Sequence, residues 1–293
     1  MLLRFCVGKH AFCGDLQQFY NSCKLQAEYW NLQRFLWKED LDPDGEVIEF
    51  VMKTLIYGVK SVSAQSEEAK LKLAEAVKNI YPEVYHLIMK AIYVDDVGES
   101  KSTKEECQKV MNEADETFAM VDLKVKGWSQ TGSKPSEAVS KDGITIGVGG
   151  FGWNPFLDCL EIKIPGLHFG KKIRGRLHKN TEIFTGTFED LELFVPKNLT
   201  RRQVSSKFAS IFDILGKFGP ILIGAKVDLR KTFKNTDGWD TAMPAELRQS
   251  WILNFWKWEQ LRGLQFSRAV MPEDATSSKM RLTTSVDMAE ESI

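Results

Sequence analysis

The sequence lacks the patterns that are typical of disulfide frameworks, of zinc sites and of membrane spans. The five cysteines are Cys6, Cys13, Cys23, Cys107 and Cys159. They are odd in number and lack the paired spacing that a disulfide scaffold or a zinc site needs. Arg4 and Lys9 interrupt the first apolar stretch, and no later stretch reaches the length of a signal peptide or a membrane span. We therefore expect a reduced, intracellular, cytoplasmic protein without a membrane partner.

The sequence also has little net charge and no clustered histidines. The formal charge of -1 averages an acidic first half with a more basic stretch between Lys163 and Lys234. The four histidines show no metal-ligand spacing: they are His10, His86, His168 and His178. With 43% apolar residues, a chain of 293 residues can form roughly two or three compact domains.

Changes in apolar periodicity predict a first domain that mixes strands with helices. Residues 5–14 and 32–37 have the composition of strands, and residues 66–79 are rich in Glu, Ala, Lys and Leu, which favours a helix. Residues 86–94 are mostly apolar and lead into two aspartates, which predicts a β-hairpin with those aspartates at its tip. The fold class expected is α+β, with an antiparallel sheet and helices packed on it.

The later part of the chain is expected to be helical after a β-rich segment. Thr103 begins a capping-box sequence, so a helix should follow it. Residues 144–194 contain the glycines and aromatics of a β-rich segment. Thr200 can cap a helix over residues 201–215, which Gly216 and Gly219-Pro220 end, and Pro244 opens a further helix through Leu261.

Three carboxylates occupy positions at which they can converge. Asp15 follows a predicted strand, and Asp95 and Asp96 stand at the predicted hairpin tip. Two-metal phosphoryl transfer needs oxygen ligands from separate elements, because Mg²⁺ prefers carboxylates and the ions must hold both reactants. The tetrapeptide Tyr93-Val94-Asp95-Asp96 resembles the Tyr-x-Asp-Asp signature of reverse transcriptases, in which an aromatic residue precedes the catalytic pair.

Two further motifs precede this one in the expected order. Residues 14–20, Gly-Asp-Leu-Gln-Gln-Phe-Tyr, are similar to the first palm motif, in which an aromatic, here Tyr20, crowds the 2′ position of the sugar. Tyr57 and Gly58 resemble the aromatic-glycine turn that opens the helix supporting template and incoming nucleotide. The order and spacing of all three motifs make agreement by chance far less common than for one motif alone.

Additional segments resemble one branch, the BEL/Pao class of long-terminal-repeat retrotransposons. They include residues 33–37, the Lys126-Gly127-Trp128-Ser129 element, residues 149–153 with Asp158, residues 199–216, Trp239-Asp240 and Arg268. The resemblance implies an RNA-directed DNA polymerase fragment of a retrotransposon polyprotein, a nucleotidyltransferase that extends a primer. It also implies a primer-template and deoxynucleoside triphosphates as partners, and it is compatible with a virus-like particle as the location.

The resemblance assigns roles to particular residues. Two Mg²⁺ ions would be held by Asp15, Asp95 and Asp96, which would thereby be catalytic. Contacts with the substrate would come from Tyr20, Tyr57, Gly58 and Lys126. Core packing explains Tyr20 equally well and explains Tyr57 better, and a solvated surface position is the more common role of a lysine such as Lys126. Contacts with nucleic acid would come from Lys171, Lys172, Arg174 and Arg176, although a run of charges is more often an ordinary solvated face.

The same resemblance divides the chain into four parts. A reverse transcriptase palm is expected at 1–128, a β-rich palm-to-thumb segment at 129–196, a helical thumb or connection region at 197–275, and the start of a ribonuclease H-like domain at 276–293. Few residues precede Asp15, so we expect a missing fingers region and little activity of this chain alone.

Two alternatives remain open at this point. The chain can be a non-catalytic relic or a domesticated nucleic-acid-binding protein that keeps the palm fold. It can also be an unrelated α+β protein with accidental motifs. That last alternative predicts that Asp15 and Asp95 lie far apart.

Overall fold

The computed structural model describes residues 1–38, 44–140, 142–169 and 184–270. The described chain separates into two compact units. The first unit contains residues 1–149 and 153–159, and the chain returns to it at Ser267. The second unit contains residues 150–152 and 160–266.

Helices account for much of both units. In chain order they are α1 Leu2–Phe5, α2 Phe19–Ser22, α3 Val62–Val77, α4 Pro82–Ala91, α5 Lys104–Ala119, α6 Phe188–Phe194, α7 Arg201–Phe208, α8 Gly219–Asn235 and α9 Ala245–Leu261. A 3-10 helix spans Ala27–Leu32. Among the described residues, we find no helix with both the length and the apolar character needed to span a bilayer.

The described strands form three sheets. They are β1 His10–Leu16, β2 Arg34–Lys38, β3 Val47–Val51, β4 Ile92–Tyr93, β5 Asp96–Lys101, β6 Val125–Gln130, β7 Ile146–Val148, β8 Phe151–Asn154, β9 Cys159–Ile162 and β10 Gln265–Ser267. The strand orders are β4-β5-β1-β6, β10-β9-β8-β7 and β2-β3. The neighbours of β1, the β4-β5 pair and the β2-β3 pair are antiparallel, so the fold is mixed α+β, as the sequence predicts.

The core of the first unit lies between the β4-β5-β1-β6 sheet and helices that include α4 and α5. One cluster of buried apolar side chains includes Phe12 and Leu16 of β1, Ile88 of α4, and Val110 and Phe118 of α5. The helix α5 begins with the predicted capping box, in which Thr103 accepts a hydrogen bond from the backbone of Glu106. Its packing on the sheet fixes the position of β1 and β5, which carry the carboxylates.

Two strands predicted in this unit are partly wrong. Residues 86–91 belong to α4, because Pro82 starts a helix whose Val84, Leu87, Ile88 and Ala91 are buried at the spacing of one helix face. Only Ile92 and Tyr93 remain as the first strand of the hairpin. At the amino end, Phe5 ends the short helix α1, and the strand begins at His10 rather than at residue 5.

The second unit also differs from the prediction in its helices. The helix capped by Thr200 ends at Phe208, so residues 209–215 are not helical. Gly219 and Pro220 begin α8 rather than ending a helix, since proline is tolerated in the first turn, where its missing N–H has no partner to lose. The β-rich segment gives way to α6 before residue 194. The helix through Leu261 is confirmed.

Candidate metal centre

The hairpin between β4 and β5 turns through Val94 and Asp95. Tyr93 pairs with Asp96 on either side of this two-residue turn, so the tip lies one residue earlier than the sequence indicates. Val94 has a φ of 58°, a left-handed conformation that β-branched residues rarely adopt. A glycine would be usual at such a position. Strain of this kind is typical of functional sites, where the surrounding structure maintains it.

The hairpin lies directly beside the end of β1. Asp15 on β1 pairs with Asp96 on β5 in the antiparallel register. The backbone N–H of Leu16 donates a hydrogen bond of 2.8 Å to the carbonyl oxygen of Asp95, which joins the turn to β1. The structure therefore brings Asp15, Asp95 and Asp96 together, with one carboxylate oxygen from each within 4.8 Å of the others. Their use as metal ligands remains a prediction from the sequence.

This spacing suits a small divalent ion. Mg²⁺ holds its oxygen ligands at about 2.1 Å, so two ligands on opposite sides of one ion lie about 4.2 Å apart. The oxygen separations here are no more than 4.8 Å, and rotation of a partly exposed carboxylate adjusts them to the reach of one ion. The donor set, three carboxylates without nitrogen or sulfur, is the set that hard cations prefer.

The electrostatics of Asp15 show that negative charge accumulates here. The pKa of Asp15 is raised above its usual value of 3.8, first because burial disfavours the carboxylate and second because Asp95 repels it. Lys126 acts in the opposite direction and lowers the pKa of Asp15. A bound cation would remove the repulsion between Asp15 and Asp95.

A β-bulge brings Lys126 to the carboxylates. Gly14 pairs with Trp128 on β6, whereas Leu16 pairs with Val125, so two residues of β6 lie opposite Asp15 alone. Bulges of this type change the direction of a side chain and occur often beside active sites. The Nζ atom of Lys126 lies 3.9 Å from Oδ2 of Asp15, and both side chains keep contact with solvent. Lys126 is thus placed beside the site, and its role as a substrate ligand stays a prediction.

Gly14 allows the close approach of β1 and β6 next to Asp15. A Cβ atom at this position would lie 2.6 Å from Cγ1 of Val125 and 2.8 Å from the ring of Trp128. The indole N–H of Trp128 donates a hydrogen bond of 2.9 Å to Asp115 on α5, so the ring cannot shift freely. Packing therefore explains why glycine, rather than a residue with a side chain, occupies position 14 of the first palm-like motif.

A cavity opens on one side of the carboxylates. It has a volume of about 230 Å³ and is lined by Asp15, Asp96 and Lys126 together with apolar residues, among them Ile146 and Val148. The cavity is smaller than most complete ligand sites, which measure about 300 to 1,000 Å³. It provides space for part of a substrate beside the acidic oxygens.

The two motif tyrosines contact each other. The rings of Tyr20 and Tyr57 meet edge to face, with centroids 5.0 Å apart. Tyr20 is buried in the core, as its packing alternative predicts, whereas Tyr57 is exposed. Gly58 follows with a φ of 94°, and α3 begins at Val62. The sequence thus correctly places a turn before this helix, and contact of these residues with a nucleotide stays a prediction.

One pairing in this unit escaped the sequence analysis. Asp158 and Arg268 are both cited above for their family resemblance, and the structure joins them in an ion pair with an Nε–Oδ1 distance of 2.7 Å. The indole N–H of Trp153 also donates to Asp158. Arg268 is fully buried and donates further hydrogen bonds to the backbone carbonyls of Phe5, Gly8 and Lys9. Residues 110 positions apart give no local signal of such a contact.

The basic run predicted to contact nucleic acid lies outside the described residues. It consists of Lys171, Lys172, Arg174 and Arg176. The predicted ribonuclease H-like start at 276–293 also lies outside them. Both assignments stay predictions.

Part of the chain matches a known family. Residues 200–293, about a third of the chain, match the family described as "Pao retrotransposon-like RNaseH-like domain". The match supports an origin of this chain in a BEL/Pao retrotransposon, and it concerns a ribonuclease H-like domain rather than a polymerase palm. No curated protein matches the chain.

Proposed function

We propose that the first unit is a reverse transcriptase palm, in which Asp15, Asp95 and Asp96 hold two Mg²⁺ ions for nucleotidyl transfer to a primer 3′-hydroxyl. The observation that carries this proposal is the convergence of the three carboxylates at the ends of neighbouring antiparallel strands. Their sequence motifs occur in the order of a palm, and the retrotransposon-type match in the same chain favours this chemistry over an accidental acidic cluster.

Each group near the site has a definite task in this scheme. Bound Mg²⁺ would lower the pKa of the attacking 3′-hydroxyl and would neutralise negative charge on the triphosphate. Asp15 and Asp95 bind the ions from β1 and from the hairpin turn, while Asp96 binds or orients them from the first position of β5. Lys126 lies where it can donate a proton to the leaving pyrophosphate or stabilise its charge. The ring of Tyr57 is exposed and contacts the buried ring of Tyr20, so it is available to contact the base or the sugar. Gly58 forms the turn that follows it.

The domain assignment belongs to the same proposal. We assign the palm to 1–128, the β-rich connecting segment to 129–196, the thumb or connection region to 197–275 and the start of the ribonuclease H-like domain to 276–293. The family match differs at the last boundary, because its ribonuclease H-like domain begins at residue 200 and so includes most of the region assigned to the thumb. The partners would be a primer-template and deoxynucleoside triphosphates.

Metal binding is the most direct test, because it depends only on the three carboxylates. Titration of the chain with Mg²⁺ or Mn²⁺ should raise its melting temperature, and Asp95→Asn should abolish most of that increase. Asp122→Asn is a matched control, since Asp122 is an exposed aspartate whose only ion pair among the described residues is with exposed Lys24. An equal metal response in all three proteins would reject the site.

Primer extension tests the chemistry itself. Mg²⁺-dependent extension of a primer is measured for residues 1–293 alone and for the same residues with a fingers region joined to their amino end. Asp95→Asn should abolish this extension, whereas Asp122→Asn should not. An active Asp95→Asn protein would refute the assigned mechanism, and a parent protein that binds metal without extending a primer in either form would favour the relic.

A further inference from the structure

Another cavity of the first unit lies between the edge strand β6 and the start of α5. Its volume is about 320 Å³, near the lower end of the range of about 300 to 1,000 Å³ for ligand sites. Its lining residues differ from those of the cavity at the carboxylates. Gln130 borders this cavity and Lys126 borders the other, about 13 Å apart along β6. We call this space the β6–α5 cavity.

One wall of the β6–α5 cavity is apolar and held in place. Trp128 and Met111 contribute to it. The indole N–H of Trp128 donates a hydrogen bond of 2.9 Å to Asp115, and its ring meets Phe12 edge to face, with centroids 5.7 Å apart. Trp128 is only partly buried. Its ring therefore offers a surface of fixed orientation on which a flat ligand can pack.

Three long polar side chains also border the cavity, those of Lys104, Gln108 and Gln130. Among the described residues, neither the Nζ atom of Lys104 nor the side-chain amide of Gln130 has a hydrogen-bond partner. Gln108 donates from its amide nitrogen to Asn112 at 2.8 Å, and its carbonyl oxygen has no partner within the same ranges of the chain. The cavity thus combines a cation with available donors and acceptors beside an apolar wall, which is the usual composition of a ligand pocket.

The turn after β6 leaves space for the ammonium group of Lys104. Gly132 has a φ of 83°, and a Cβ atom at this position would lie 3.1 Å from the Nζ atom of Lys104. The Oγ of Ser133 holds the turn by donating to the carbonyl oxygen of Gln130 at 2.6 Å. The N–H of Gly132 also donates to the carbonyl oxygen of Pro155 at 2.8 Å. A side chain at position 132 would crowd the cation, whereas glycine leaves it accessible.

The charge of the lining favours an anionic ligand. Lys104 is the one ionisable side chain among the described residues that line the cavity, so an anion there meets a positive charge without a competing acid. Lys109, five residues later on the same helix, has Glu113 at 3.8 Å, and Lys104 has no comparable pair in the described part of the chain. A lysine ammonium has three donors and binds a phosphate group as a point charge.

The two glutamines favour a ring that carries both donors and acceptors at its edge. A primary amide offers an NH₂ group beside a carbonyl oxygen, and this pair matches the edge of a nucleobase, notably adenine. A base can also stack on an aromatic side chain such as Trp128. Contacts for a phosphate, for a base edge and for a base face are therefore present in one cavity.

We propose that the β6–α5 cavity binds a nucleotide, with its phosphate at Lys104 and its base against Trp128. The edge of the base meets the amides of Gln108 and Gln130. The nucleotide is either a free nucleoside monophosphate or one unit of a single strand, since both present the same groups. The inference is independent of the proposed function, because it uses none of the three carboxylates and needs no metal ion.

The test measures AMP binding to the full chain by isothermal titration calorimetry in EDTA, so that no metal ion can join the phosphate to the carboxylates. Lys104→Gln should weaken AMP binding about 10- to 100-fold, because a charged hydrogen-bond partner is lost, and should leave adenosine binding unchanged. Gln130→Leu should weaken the binding of both ligands, because it removes a contact with the base.

Lys109→Gln is the matched control, since it makes the same change of charge on the same helix. It should alter neither affinity. Lys104 and Lys109 are both exposed, so both variants should keep the melting temperature of the parent. A 12-residue oligodeoxyadenylate separates the two sources of the nucleotide. Binding of this strand that is tighter than AMP binding and is weakened by Lys104→Gln would identify a strand, and AMP binding without that gain would identify a free nucleotide.

The possible outcomes separate this cavity from the metal centre. Asp95→Asn should bind AMP like the parent while it loses the Mg²⁺-dependent rise in melting temperature. Loss of AMP binding in Asp95→Asn would place the ligand at the carboxylates and overturn the proposal. Absence of AMP binding by the parent, or equal losses in Lys104→Gln and Lys109→Gln, would also overturn it. So would binding of inorganic phosphate as tight as that of AMP, because the base would then contribute nothing.

Discussion

Asp15 and Asp96 lie opposite each other on neighbouring antiparallel strands, and this single register decides the geometry of the candidate site. Side chains at paired positions point to the same face of a sheet. The same register also positions Asp95, because Asp95 immediately precedes Asp96 in a turn that is hydrogen-bonded to Leu16. Two like charges placed opposite each other are unfavourable without a counterion. The register therefore favours cation binding before any family is considered.

The first prediction concerns the pH dependence of the metal-free protein. The folded-state pKa of Asp15 is raised, so the fold binds its proton more tightly than the unfolded chain does. The contribution of Asp15 to the free energy of unfolding is thus most favourable at low pH. It is lost as the pH rises from 3.8 through the raised pKa. In EDTA, Asp15→Asn should gain stability relative to the parent over this window, as measured by urea denaturation between pH 4 and 8.

Mg²⁺ provides the control for this effect. Bound metal favours the carboxylate over its protonated form, so the parent should recover stability at neutral pH when Mg²⁺ is added, and Asp15→Asn should not. A stability difference between the two proteins that does not change with pH would show that the shift in the pKa of Asp15 has no energetic consequence.

The second prediction contrasts two glycine substitutions. Gly14→Ala should lower the free energy of unfolding by about 1 to 3 kcal/mol, because its Cβ would overlap with Val125 and Trp128. The same substitution should weaken Mg²⁺ binding, since β1 must shift next to Asp15. Gly224→Ala lies within α8 with only Asn254 within 4 Å, so it should stabilise the protein by about 0.5 to 1 kcal/mol. Equal effects of the two changes in chemical denaturation would contradict this account.

The sequence predicted the convergence of the carboxylates better than it predicted the types and bounds of the secondary-structure elements around them. A strand end at Asp15 and a turn near Asp95 are local features, and local patterns are enough to place them. Residues 86–94 were misassigned because a short apolar run fits both a strand and a buried helix segment. The decisive signals were Pro82 and the buried positions Val84 and Leu87, which precede the run. The hairpin could therefore be predicted, but its length could not.

Local sequence patterns cannot predict features that depend on pairing between distant segments. The position of Lys126 follows from a bulge in β6, which only the register against β1 reveals. The start of α8 has a different explanation. Glycine and proline in sequence usually indicate a turn, so the sequence predicts the end of a helix at Gly219 and Pro220, where the structure begins one.

The third prediction concerns the buried arginine of the first unit. Arg268→Met should lower the free energy of unfolding by about 3 kcal/mol, because it leaves Asp158 without its charged partner in a site that retains only 21% exposure. Arg202→Met is the matched control, since Arg202 makes the same two-bond contact with Asp240 at an exposed position and should change stability little. Asp158→Asn combined with Arg268→Met should cost less than the sum of the single changes, because the charge left unpaired by one substitution is removed by the other. Both effects are measured by urea denaturation of Arg268→Met, Arg202→Met, Asp158→Asn and the double variant. If the losses of the two single changes at Asp158 and Arg268 are strictly additive, the ion pair is not what stabilises this part of the chain. The hydrogen bonds from Arg268 to the carbonyls of residues 5, 8 and 9 would then be responsible.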